Sequence, residues 1–387
     1  MNQIRYGRVV YPRKFAETVP IPASWDERPL PHLLRGQHRD PMQEIERIER
    51  WYLELKGSRR GLLGRLRSCE PRGFWAGLSE LMTFRIFAER GWSSQYEPRL
   101  DGKTPDFLVQ SPNSSRFVAE VLTAFQDPQE EKGEAAIYNV ASVLNQICHR
   151  SSVMLEEVTL PERAFSFEPL SLEPLLPRVR AWLDQCKPGR SHKTTISLPE
   201  IGISLKLSTF KNPLPVPAPI VQGVMGLGGK ITSTDRIQNA IQKKVDTYGY
   251  VASLDLPLVL FLWQGHWFKV TYTSLEWALF GRLQVHFPRD HSSTPAVWSH
   301  APGGLFTFGE NGLPRNTNLS AVAYCSRVWH RRRVYARVQI YHHPYADQRL
   351  PLPLFRGTPQ YVPCDVTQDK FSCRWDRSHR KRGILLH

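Results

Sequence analysis

Two short runs, Thr104-Pro105-Asp106-Phe107-Leu108-Val109 and Phe117-Val118-Ala119-Glu120-Val121-Leu122, decide how this chain is read. Turn residues precede the first (Asp101-Gly102) and separate the two (Pro112-Asn113), so the runs are expected as strands of consecutive hairpins. Each carries one carboxylate. With alternate residues on one face of a strand, Asp106 lies with Thr104 and Leu108, and Glu120 lies with Val118 and Leu122. An acid on a strand that otherwise reads as core is costly to leave unpaired, and a hard divalent cation is a common reason to hold two such acids together.

Upstream, residues 74–90 have helical spacing. At about 100° per residue, Glu80 shares a stripe with Ala76, Phe84 and Phe87, whereas Glu89 falls on the opposite side, so Glu80 is expected to point inward. The order of elements from there is helix 74–90, strand near 95–98, strand 104–109, strand 116–122, helix about 130–150 and strand 152–159. That is an α/β layer, not a barrel or a bundle.

Beyond 160 come an amphipathic stretch at 172–186, β-like runs at 194–198 and 203–210, and a Pro-rich link at 212–219. The Gly-rich segment 223–230 is not a phosphate loop, because Val224 stands at its first Gly position and Ile231 follows Lys230. Thr232-Ser233-Thr234-Asp235 reads as the N-cap of a helix running to about Tyr248. On that helix Lys244 shares a stripe with Ile237, Ala240, Ile241 and Tyr248, while Lys243 lines up with Arg236, Asn239 and Thr247. Lys244 is therefore the inward lysine. A buried strand at 256–263, a short helix at 274–280 stopped by Gly281, and strands at 303–308, 319–325 and 334–342 complete the pass.

Composition bounds the possibilities. The chain has 387 residues, 41% hydrophobic and 11% aromatic, enough for a large core. Its longest apolar stretch, 254–263, falls far short of the roughly 20 residues of a membrane span, and Met1-Asn2-Gln3-Ile4-Arg5 has no apolar signal region, so a cytoplasmic protein without a membrane partner is expected. The six cysteines are scattered, with no Cys-x-x-Cys pair and no Cys and His clusters at zinc spacing. The adjacent His342 and His343 face apart in a strand and do not make a metal site by themselves. The net charge of +15 is concentrated in the two flanks, around a near-neutral centre. Arg327, Arg331, Arg332, Arg333, Arg380, Lys381 and Arg382 belong to that excess and are candidates for gripping phosphates.

The order helix with Glu, strand with Pro-Asp, strand with a second Glu, helix, strand resembles the PD-(D/E)xK phosphodiesterase superfamily, whose fold is restriction-endonuclease-like. The resemblance covers roughly 74–160. It implies that Glu80 matches the helix acid, Asp106 the Pro-Asp acid and Glu120 the second acid. It further implies that Asp106, Glu120 and the Val121 carbonyl hold Mg²⁺ (or Mn²⁺), with Glu80 completing the outer shell or binding a second ion. The departure is Leu122, where the pattern wants a Lys that orients the attacking water. Lys244 is the candidate replacement, and Gln126 a weaker one. Segments around 237–257, 278–281 and 341–346 are also similar to a group of uncharacterised bacterial proteins, a likeness that implies no activity.

The expected architecture is α/β with a restriction-endonuclease-like core, a mixed sheet flanked by helices. A basic N-terminal extension with a helix (1–72) precedes the core (73–265, with an insertion around 161–230), and a basic C-terminal β-containing region (266–387) follows it. The expected function is metal-dependent hydrolysis of phosphodiesters, in DNA, in restriction, repair or anti-phage defence, with a homodimer or a protein partner compatible with the sequence. The alternative is a catalytically silent nucleic-acid-binding subunit of a larger complex.

Overall fold

A computed structural model describes residues 4–20, 29–35, 41–57, 59–124, 140–141, 143–159, 172–187, 190–210, 218–224, 234–264, 270–286, 297–300, 303–330, 333–364, 366, 371–376 and 384–386. The chain packs as two compact units. The first holds the described residues of 1–21, 28–125 and 231–387, and the second those of 126–230. The three-part division expected from sequence differs from this in two respects. Both flanks belong to the same unit as the centre, and the inserted part starts soon after Glu120 instead of near 161.

The first unit is a mixed sheet with helices on both faces. Its path begins with β1 (Ser93–Tyr96), β2 (Phe107–Gln110) and β3 (Arg116–Ala124), an antiparallel meander. The positive φ angles of Asp101 and Gly102 turn the first hairpin. Next to β3 lies β10 (Leu258–Gln264), parallel to it, and then β13 (Ala321–His330), parallel to β10. β14 (Arg333–His342) pairs antiparallel with β13 and parallel with β15 (Gln360–Cys364), which β16 (Ser372–Asp376) joins antiparallel. β17 (Ile384–Leu386) adds to the hairpin end of β14.

Side-chain parity separates two cores. Phe117, Ala119 and Val121 of β3 and Val259, Phe261 and Trp263 of β10 face one of them; Val118 of β3 and Leu258, Leu260 and Leu262 of β10 face the other. The first core is covered by α5 (Pro71–Glu89) and by the preceding helices α1 (Arg13–Thr18), α2 (Pro29–Arg35), α3 (Pro41–Glu54) and α4 (Arg60–Leu66). Because α5 lies between the sheet and these helices, it is buried on nearly every side. Phe87 centres an edge-on aromatic cluster with Phe261 at 5.3 Å, Phe107 at 5.5 Å and Phe117 at 6.0 Å. The indole of Trp263 donates to Thr83 Oγ1 at 2.8 Å, tying α5 to β10.

The inserted unit is a four-stranded sheet in the order β6 (Lys193–Leu198), β7 (Ile203–Thr209), β5 (Val153–Thr159), β9 (Val221–Val224), covered by α6 (Leu175–Gln185) through Leu175, Val179 and Leu183. β4 (Cys148–His149) and β8 (Ala218–Pro219) form a separate small ladder. The run at 152–159 is thus a strand, but of this second sheet. The chain returns to the first unit at α7 (Thr234–Tyr248), which packs with α8 (Tyr272–Phe280) on the second core through Ile237, Ile241 and Val245. Gly281, at φ 79, ends α8 as expected. A two-stranded ladder of β11 (Leu283–His286) and β12 (Val297–His300) follows.

Two further expectations are corrected. The 303–308 run is a series of turns, not a strand, because Leu305 and Phe306 spend their amides on the Ala278 and Leu279 carbonyls at the end of α8. The N-terminal stretch read as an extension is anchored in the core: the buried Glu49 carboxylate accepts from the amides of Val9, Val10 and Tyr11 at 2.9, 2.7 and 3.0 Å. The Gly-rich segment 225–230 and the 232–233 part of the expected cap lie outside the described residues. No described helix is long and apolar enough to cross a membrane.

Glu49→Ala leaves three amides without an acceptor, two of them buried, and is expected to lower stability by about 2–4 kcal/mol. Urea unfolding monitored by far-UV circular dichroism reads the change, and a loss below about 0.5 kcal/mol would mean that this carboxylate does not hold the N-terminal segment.

Candidate functional site

The site grows out of the β2–β3 ladder. Phe107 sits opposite Ala119, and continuing the register by one residue sets Asp106, just outside the strand, against Glu120. The two acids fix each other through the backbone. The Asp106 amide donates to Glu120 Oε1 at 2.8 Å, and the Val121 amide donates to Asp106 Oδ2 at 2.7 Å. One residue further the register would set Pro105 against Val121. A proline has no N–H, so it gives the Val121 carbonyl no ladder bond, and the Asp106 side chain takes the amide that a backbone carbonyl would otherwise receive.

Glu120 projects to the α7 side of the sheet, between Val118 and Leu122, and is 1% exposed. Its second oxygen, Oε2, accepts from the Lys244 ammonium at 2.7 Å. Lys244 reaches it from α7, with its side chain 30% exposed and the Tyr248 ring one turn on, 5.5 Å from Nζ to the ring centroid. Lys243 is exposed, as helical phase predicts. Burial, reinforced by Asp106, pushes the Glu120 carboxyl up to about 8 against the pull of Lys244. For Lys244 burial opposes the charge, but Asp106 and Glu120 outweigh it and hold the ammonium above its usual range. Burial and then Glu120 raise the Tyr248 phenol to about 12.

Glu80 occupies a different setting. It is buried on α5, and its Oε2 accepts from Arg65 Nη2 and from the Tyr96 hydroxyl, both at 2.6 Å. Arg65 Nη2 also lies 2.7 Å from Tyr96 Oη and 3.9 Å from Glu97. Burial and then Asp106 push Glu80 up to about 7, while Arg65 and Tyr96 pull the other way. Asp106 therefore bears on both glutamates. The expected inward direction of Glu80 holds, and one oxygen of its carboxylate, Oε2, is taken by Arg65 and Tyr96.

Sequence reading missed Arg65 and Tyr96. Arg65 follows Leu62 by three residues on α4 and precedes Leu66, both fully buried, so the phase test applied to Lys244 marks Arg65 as inward too. Of the basic candidates, Arg327 is turned inward and paired with Glu44, which also holds Arg47. It is not a free peripheral cation, because Glu44 on α3 is buried and takes the charge. Arg333 is exposed at the start of β14. Arg331, Arg332, Arg380, Lys381, Arg382 and Gln126 lie outside the described residues. His342 and His343 are buried and bonded to Gln360 and the Arg315 carbonyl, each at 2.8 Å.

The donor set around Asp106 is oxygen only: its second carboxylate oxygen, Glu120 and the Val121 carbonyl, to which Pro105 gives no ladder bond. Oxygen donors without thiolate or imidazole suit Mg²⁺ or Mn²⁺ and not zinc or copper. The residues fit such an ion, which would share Glu120 with Lys244. Among the described residues, no group of three or more His, Cys, Asp and Glu side chains is arranged to hold a metal.

The raised Glu120 pKa carries a sign for stability. Between roughly 4.5 and 8 the folded protein keeps a proton on Glu120 that the unfolded chain releases, so its contribution weakens as pH rises through that window. In metal-free buffer the melting temperature of the wild type is expected to fall from about pH 5 to about pH 8.5, and Glu120→Gln to flatten that fall. Parallel profiles for the two proteins would mean that Glu120 titrates like an ordinary carboxyl. No family model matches this sequence, and neither a curated protein nor a solved structure matches it at a significant level.

Proposed function

We propose that this protein is a metal-dependent phosphodiesterase of nucleic acid, with DNA as its substrate and a restriction-endonuclease-like core. The observation that carries the reading is the meeting of Asp106 and Glu120 across the end of the β2–β3 ladder with Lys244 on Glu120. Element order supports it: helix α5, the antiparallel meander β1–β3, helix α7 and strand β10 parallel to β3 form a continuous block interrupted by the inserted unit. In this reading α7 and β10 would take the places of the helix and strand expected at 130–160.

The same geometry offers an amine in place of the missing motif lysine. Leu122 and Glu120 share a face of β3, and α7 crosses that face, so an amine from α7 reaches the place where an amine from position 122 would stand. Asp106, Glu120 and the Val121 carbonyl would hold the ion. A Mg²⁺ or Mn²⁺ there supplies Lewis-acid charge to a phosphodiester and acidity to water. Lys244 stays protonated and orients water or a phosphate oxygen by donating from Nζ, while Tyr248 and the aliphatic neighbours Val118 and Leu122 limit access of bulk solvent. Restriction, repair and defence against phage are the candidate settings, with a homodimer or a protein partner compatible with the fold.

A second reading draws on one observation: both Glu120 oxygens already accept from protein donors. In a catalytically silent, nucleic-acid-binding subunit that closed arrangement would be the end state. Incubation of supercoiled plasmid with Mg²⁺ and then Mn²⁺ separates the two readings. Cleavage is expected, with a loss of at least about 100-fold in Asp106→Ala while DNA binding persists. Intact DNA under every condition with binding retained supports the silent subunit, and undiminished cleavage in Asp106→Ala defeats the mechanism.

Lys244→Ala is expected to lower the cleavage rate by about 100-fold or more. Adding Leu122→Lys to that variant returns an amine to the same face and is expected to recover at least about tenfold of it. Full activity in Lys244→Ala would remove Lys244 from the chemistry.

A further inference from the structure

We infer that Arg65 is a built-in second cation of the carboxylate centre, so that the centre takes a single divalent ion and Glu80 is not one of its ligands. The inference rests on the phosphodiesterase reading and specifies the stoichiometry of that site. Asp106 bears on both Glu80 and Glu120 here, and two protein cations are set among the three. Lys244 takes Glu120 at 2.7 Å, and Arg65 takes Glu80 at 2.6 Å. The ion-binding oxygens that remain belong to Asp106, Val121 and the shared Glu120.

The placement of Arg65 is fixed by its surroundings. A Cβ at Gly77 would stand 3.0 Å from Arg65 Cβ and 3.2 Å from the Leu66 amide nitrogen, so the absence of a side chain there lets α4 lie against α5. Glu80 is one turn further along α5. The Tyr96 hydroxyl of β1 bonds the same Glu80 oxygen and lies 2.7 Å from the same guanidinium nitrogen, closing a three-membered network from three elements. Glu97, at 3.9 Å, adds a second carboxylate to the same nitrogen. A metal ion recruited by Glu80 would have only its other oxygen, Oε1, clear of Arg65 and Tyr96 and would lie near the Arg65 charge, and like charges in a partly buried site repel strongly.

Arg65 acts through Glu80 and Asp106 and is a positioning residue, so its test reads metal stoichiometry, not cleavage. Mn²⁺ is titrated into the full-length protein and free ion is followed by electron paramagnetic resonance. One ion per chain is expected for the wild type and, unchanged, for Glu80→Gln and Arg65→Lys. Arg65→Ala is expected to raise the stoichiometry from one to two, and Arg65→Ala with Glu80→Gln to return it to one. Two ions in the wild type, one of them lost in Glu80→Gln, overturn the inference and leave the phosphodiesterase reading standing. No bound ion in the wild type overturns both. If Arg65→Ala does not fold, the Glu80→Gln titration decides alone, because a ligand role for Glu80 requires it to lose an ion.

Discussion

The exchange of hydrogen bonds between the Asp106 side chain and the Val121 amide, and between the Asp106 amide and Glu120, is what the site depends on. It occurs where a β-ladder stops for a chemical reason. Pro105 cannot donate, so regular pairing ends, and the next residue replaces backbone with side chain. The substitution does two things at once. It satisfies the amide of a buried strand, and it holds a carboxylate beside the carbonyl and the acid that follow. Chelating geometry and strand termination are here one event.

The rest of the first unit keeps that event in place. β3 is clamped between β2 and β10, and its two faces are set by alternation: Phe117, Ala119 and Val121 against α5, Val118, Glu120 and Leu122 against α7. A slip of one residue would carry Glu120 into the aromatic cluster around Phe87. The large apolar cost of that slip protects the register. The two charged attachments, Arg65 from one face and Lys244 from the other, then arrive at a centre whose position the core has already determined.

Much of this was legible in the sequence, for identifiable reasons. Strand alternation placed Glu120 with Leu122, and helical phase separated Lys244 from Lys243, because both patterns are local and periodic. Pairings between distant segments were not legible. That β10 and not the 152–159 run lies beside β3 depends on contacts across more than a hundred residues, and both runs read equally well as strands by themselves. Arg65 escaped because its segment was read as a basic extension, where charge alone suggested solvent. Arg327 failed for the same reason: its surroundings read as basic surface, yet Glu44, far away in sequence, draws it inward.

One consequence follows from the inserted unit. Lys244 lies 124 positions after the acid it serves. At typical speeds of translation, roughly ten seconds separate the synthesis of Glu120 from that of its lysine. During that interval the nascent chain has its acidic half but neither the amine nor the parallel strand that buries it. The acid pair and its amine thus come together only after the inserted unit has been made.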